Sequence, residues 1–136
     1  MADEQAMYTA TTHDITVTVV PTFLDEQSDP DEHRFLWAYT IRIENSGART
    51  VQLLDRHWII TDARGQVEEV RGPGVVGKQP VLEPGESFEY TSGCPLTTPS
   101  GVMVGTYGMS TRDGDDFDVA IPAFSLDSPH EQQQLN

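Results

Sequence analysis

Gly72-Pro73-Gly74-Val75-Val76-Gly77 spaces three glycines as dinucleotide-binding folds do, where a bare backbone approaches a pyrophosphate. That chemistry requires a strand before the loop and a helix after it, whose N-terminus holds the anion. Pro80 and Pro84-Gly85 follow instead, which argues against a helix, and Pro73 lacks the N–H a phosphate cradle would use. The segment therefore reads as a crossover loop that needs backbone freedom, or as a protein-contact loop. An anion nest of loop N–H groups, assisted by Arg71 and Lys78, is the alternative.

The other reactive residue types lack the spacing their chemistry needs. Asp113-Gly114-Asp115-Asp116-Phe117-Asp118 gathers carboxylates, which hard cations favour, but its glycine sits second and a calcium loop places it sixth. It reads as a solvated hairpin turn. His13, His33, His57 and His130 are scattered, with no i, i+4 pair for a helical metal site. His57 adjoins Arg56 and Trp58 and is either structural or part of a binding surface. No Gly-x-Ser-x-Gly elbow is present, Ser110 lying in Tyr-Gly-Met-Ser-Thr. Cys94 precedes Pro95 in a loop, with no helix end to activate it. These patterns predict a protein that is not an enzyme, with no catalytic residues, no metal ligands and no cofactor.

The elements that must position these residues read with period two. Ile15, Val17 and Val19 alternate with threonines, and Pro21 then favours an edge or a bulge. Residues 25–33 are a polar loop. Phe35, Trp37, Tyr39, Ile41 and Ile43 share one face of the clearest strand, and Asn45-Ser46-Gly47 turns the chain. A third strand over 50–61 slips near Asp55, which predicts a bulge. Asp62-Ala63-Arg64-Gly65 is a hairpin loop into a strand over 66–71. Residues 72–85 read as loop, 86–92 as a strand with Phe88 and Tyr90 inward, and 93–100 as a second long connection. Strands over 102–111 and 117–126 are joined by the acidic hairpin. No window has helical periodicity, so an all-β antiparallel sandwich of about seven or eight strands is expected, a small barrel being the alternative. Residues 1–12 and 128–136 read as polar tails around one domain over 13–127.

The 136 residues carry a net charge of −14, and the only Lys is Lys78. The charge is uneven, with −8 over 1–33, +2 over 34–78 and −8 over 79–136. Binding to nucleic acid or to an anionic membrane surface would need clustered Lys and Arg, so both are excluded as partners. With one cysteine, an acidic start and apolar runs of only a few residues, the chain reads as cytoplasmic, without a disulfide, secretory signal or membrane span. The acidity is also what a salt-rich habitat would select.

Several further patterns fall into register. Arg56-x-Trp58-x-Ile60-x-Asp62 leads to Gly65, and Val70-x-Gly72-x-Gly74-Val75-Val76-Gly77-x-Gln79-Pro80 follows. Then come Leu82-x-Pro84-Gly85, Phe88-x-Tyr90-x-Ser92, Gly101-x-Met103-x-Gly105-x-Tyr107-x-Met109 and Ile121-Pro122-x-Phe124-x-Leu126. Together these resemble the ApaG (CorD) family over residues 13–127. The resemblance implies a fibronectin type III or immunoglobulin-like sandwich and an association with cobalt resistance and magnesium efflux. It also implies a protein-contact role, as in similar domains of larger eukaryotic proteins, and assigns no catalytic residues.

The expected recognition surface is the 72–80 loop with Arg56 and Trp58. Its candidate members are Arg56, Trp58, Arg71, Gly72, Gly74, Val75, Val76, Gly77, Lys78 and Gln79. Its ligand is expected to be an unidentified protein. A pyrophosphate-containing nucleotide at the same glycines, or a divalent metal on the acidic turns, is the alternative. The chain is expected to be a monomer or a homodimer.

Overall fold

The computed structural model describes residues 6–130. They form nine strands: β1 Tyr8–Thr12, β2 Ile15–Phe23, β3 Phe35–Asn45, β4 Val51–Asp62, β5 Val67–Pro73, β6 Val81–Leu82, β7 Ser87–Leu96, β8 Gly101–Thr111 and β9 Asp116–Leu126. One antiparallel sheet runs β1-β2-β3-β7, the other β5-β4-β8-β9 with β6 added alongside β4. The two sheets face each other as the expected β-sandwich.

Period-two alternation fills the space between them. In β3 the odd positions Phe35 to Ile43 are buried, and in β8 Met103, Tyr107 and Met109 face them from the other sheet. Trp58, Tyr39 and Phe124 meet edge-on or tilted across the layer, with ring centroids 5.5–5.9 Å apart. The buried Asn45 is fully used. Its Nδ2 donates to the carbonyls of Arg49 and Leu82, and its Oδ1 accepts from the Gly47 N–H.

Four stretches differ from the sequence reading. Tyr8–Thr12, expected as tail, is edge strand β1, pairing with Ile15–Val19. Gly72 and Pro73, expected as loop, extend β5, and Val81–Leu82 add a short strand to β4. Gly93 to Leu96, expected as connection, continue β7 against β3. The new strands β1 and β6 raise the count to nine. Expected turns hold elsewhere: the β4 register slips between Leu53 and Asp55, and Gly65 takes φ 84°. Residues 25–33 fold into two 3-10 turns, Asp25–Gln27 and Pro30–Glu32. The tail segments 1–5 and 131–136 lie outside the described residues.

One flank of the sandwich is closed and the other gapes. β1 and β2 pack against β9, and the Thr12 hydroxyl accepts from the Ala120 N–H. On the opposite flank β7 and β5 are the terminal strands of their sheets, and a cleft runs between them.

Candidate functional site

At one end of this cleft lies a recess of about 320 Å³. Its floor is made by Tyr39 of β3, Arg56 and Trp58 of β4 and Tyr90 and Ser92 of β7, and Pro73 with Val75–Gly77 forms one wall. Strand pairing explains the assembly. Tyr39 lies opposite Ser92, and Arg56 lies opposite Gly72. The loop after β5 folds back over these residues.

Arg56 ties that loop down. Its Nη1 donates to the carbonyls of Pro73 and Gly74 at 3.0 and 2.9 Å. The guanidinium lies on the backbone of Gly72, where a Cβ would come within 3.0 Å of it. Beyond Gly74, Val75 and Lys78 exchange two backbone hydrogen bonds of 2.8 and 2.9 Å around a two-residue turn. Val76 (φ 42°) and Gly77 (φ 81°) both take positive φ, as a type I′ turn requires. A β-branched residue is strained in that region. Gly74 also has positive φ, and a Cβ there would collide with the Lys78 carbonyl.

The ten expected site residues therefore divide. Trp58 and Val75 are buried in the core and offer no exposed surface, although both border the recess. This corrects the expectation that both valines of the loop present themselves. Gly72, Gly74 and Gln79 serve the loop itself, Gln79 by donating from Nε2 to the Leu54 carbonyl. Arg71, Val76, Gly77 and Lys78 are exposed around the turn, Val76 at 54%. Arg56 is half-buried at the cleft. The loop amides are largely committed, since Gly74 donates to the Leu54 carbonyl and Val75 and Lys78 donate within the turn. The segment leads into β6 rather than a helix.

Tyr39, Tyr90 and Ser92 were not singled out by the sequence, because their convergence depends on pairing between distant strands. The hydroxyls of Tyr90 and Tyr107 are hydrogen-bonded at 2.5 Å inside the core. Burial pushes both phenols above their ordinary range, and Tyr39 is raised for the same reason, opposed by a hydrogen bond with Ser92. Burial also pushes the Cys94 thiol up to about 11.

The remaining candidates lie elsewhere. His57 faces outward, 3.0 Å from Glu69, and that hydrogen bond draws the Glu69 carboxyl below its usual range, with Arg71 assisting. Asp113 and Asp115 of the acidic hairpin are held by Arg49 at 3.4 and 2.9 Å. Among the described residues, no group of three or more His, Cys, Asp or Glu is arranged to hold a metal ion. No helix among them is long and apolar enough to cross a membrane.

Known proteins resemble this chain in sequence and fold. The chain is 67% identical over 130 residues to Protein ApaG of Paramagnetospirillum magneticum, covering 96% of this chain and 100% of that protein. It is 65% identical over the same length to Protein ApaG of Rhodospirillum centenum, with the same coverage. The crystal structure of the putative ApaA protein from Bordetella pertussis superposes with a TM-score of 0.83 at 54% identity, covering 85% of this chain and 94% of that one. The ApaG domain model matches residues 25–111, and the chain belongs to the ApaG family.

Proposed function

We propose that this protein is a non-catalytic binding module whose recognition surface is the turn tip at Val76–Lys78, flanked by Arg71. One observation carries the reading. Val76 is β-branched, strained at φ 42° and 54% exposed at the tip of a turn that the rest of the loop holds rigidly. Strain of this kind persists where a fold over-determines it, and it concentrates at functional positions. The contact is assigned to that tip because it stands on a fixed surface loop with the exposed Arg71 and Lys78 beside it.

The chemistry elsewhere supports a non-catalytic role. The Cys94 thiol is buried and protonated at neutral pH, and His57 is engaged with Glu69. A nucleotide at the glycines has weaker support, because three loop amides are already used within the protein. The association with cobalt resistance and magnesium efflux, implied by the family, fits an effect exerted through a cytoplasmic protein partner.

The test is affinity capture from cell extract with wild type and Val76→Asp, followed by titration of each purified captured protein. The reading expects Val76→Asp to keep its fold and to lose at least one partner by about tenfold or more in Kd. An unchanged partner set at unchanged affinity overturns it.

A further inference from the structure

Resting on the binding-module reading, we propose that the cleft between β5 and β7 captures the C-terminal carboxylate of an extended partner peptide, with Arg56 as its charge partner. The donor set comes first. Arg56 has no carboxylate within 4.0 Å among the described residues, although the chain carries a net charge of −14. Its Nη1 is fixed on two loop carbonyls, whereas Nε and Nη2 make no hydrogen bond to the described residues. An oriented guanidinium with its remaining edge unused is built to receive an oxyanion.

The tyrosines give the second, independent observation. Tyr90 and Tyr107 hold two hydroxyl protons, and their mutual hydrogen bond uses one. The other has no acceptor among the described residues, and Tyr90, which is 8% exposed, lines the recess. A carboxylate is acceptor-only and would satisfy it. One cation matches one negative charge, whereas phosphate would bring nearly two into a strongly acidic protein.

The shape of the cleft selects a peptide. Among the described residues β5 pairs only with β4 and β7 only with β3, so each presents a strand edge to the cleft that an extended chain can join. Along the same cleft lies a basin of about 520 Å³ with apolar walls at Phe35, Ile60 and Leu96. Asp62 and Glu68 also line it, opposed by Arg34, which leaves a net negative charge there. Arg56 pairs with Gly72 and Ile60 with Glu68, a separation of four residues along β4, roughly 13 Å. A peptide whose terminal carboxylate meets Arg56 therefore sets the fourth residue upstream against Glu68, where Lys or Arg is favoured.

The experiment uses the full chain and pooled hexapeptides X-Lys-X-X-X-X, prepared as free acids and as C-terminal amides. NMR follows the Arg56 Nε–H and the Trp58 indole N–H. The free-acid pool should give saturable shifts at both, and the amides should bind about tenfold weaker or worse. Tyr90→Phe should weaken the free-acid response, and Glu68→Lys should turn selection from Lys to Glu at the upstream position. Equal binding of amides, shifts induced by inorganic phosphate alone, or no shift overturns the proposal. Val76→Asp separates the two readings: if it loses captured partners while free-acid peptides leave Arg56 unmoved in wild type, the module stands and the carboxylate site falls.

Discussion

The guanidinium of Arg56 lies flat on the backbone of Gly72, close enough that a Cβ would sit 3.0 Å from its Nη1. This contact fixes the recognition loop, because the same nitrogen bridges the carbonyls of Pro73 and Gly74. Two residues on paired strands thus decide where a loop of three glycines goes. Gly72→Ala should displace the guanidinium and cost about 1.5–3 kcal/mol, the worth of a charged hydrogen bond. In an Arg56→Ala background the same change should cost almost nothing, since the pair is coupled. Urea unfolding of the four proteins tests this, and additive effects would contradict it.

Gly105 lets β8 lie close against β4 beside Trp58. A Cβ there would collide with the His57 carbonyl and lie 3.1 Å from the indole. The clash is mainly with backbone, which cannot rotate away. Gly105→Ala should therefore destabilise by about 3 kcal/mol, at the upper end of overpacking costs. A change in the urea midpoint without a change in slope is the expected signature.

Cys94 predicts a pH dependence. Its thiol is held up at about 11 from an ordinary 9.0 because burial disfavours the thiolate. The folded state therefore keeps the proton while the unfolded chain releases it. The stabilisation is complete below pH 9 and is lost as pH rises from there toward 11. Cys94→Ala removes the titration without adding volume to the buried site, so its stability, lower throughout, should fall less steeply than wild type over that window. Parallel curves would contradict the burial argument.

Glu69 gives the opposite sign at the acid end. Its carboxyl is drawn down first by the hydrogen bond with His57. The stabilisation is present above the ordinary value of 4.5 and is lost as pH falls through the lower folded value. Glu69→Gln should thus have a flatter acid limb than wild type in pH-dependent melts, with the two proteins converging under the most acidic conditions.

How much of this was legible in the sequence follows from which residues carry a pattern. Phe35 to Ile43 alternate so regularly that β3 could be read directly, and the slip at Asp55 marked the bulge in β4. β1 escaped because the inward face of Tyr8-Thr-Ala-Thr-Thr12 offers only Tyr8, Ala10 and Thr12, and its order comes from pairing with β2 and from Tyr8 against Phe124. Pro73 suggested a loop, yet it closes an edge strand, where a missing N–H can be tolerated. Val75 and Val76 are alike in sequence and opposite in the fold, since one side of a tight turn points inward and its tip points out. The recess was invisible because Tyr39 and Ser92 become neighbours only when β3 pairs with β7, more than fifty residues along the chain.

The most direct test of the recognition surface is one variant read twice. Asn tolerates the left-handed region that strains Val. Val76→Asn should raise the melting temperature by about 3–6 °C, as roughly 1 kcal/mol of strain is relieved in a domain of this size. The same variant should lose the partners that wild type captures from extract, because the apolar tip is gone. A stabilised protein that no longer binds is the predicted result. A variant that binds the same partners at the same affinity, or that is less stable than wild type, would contradict the account.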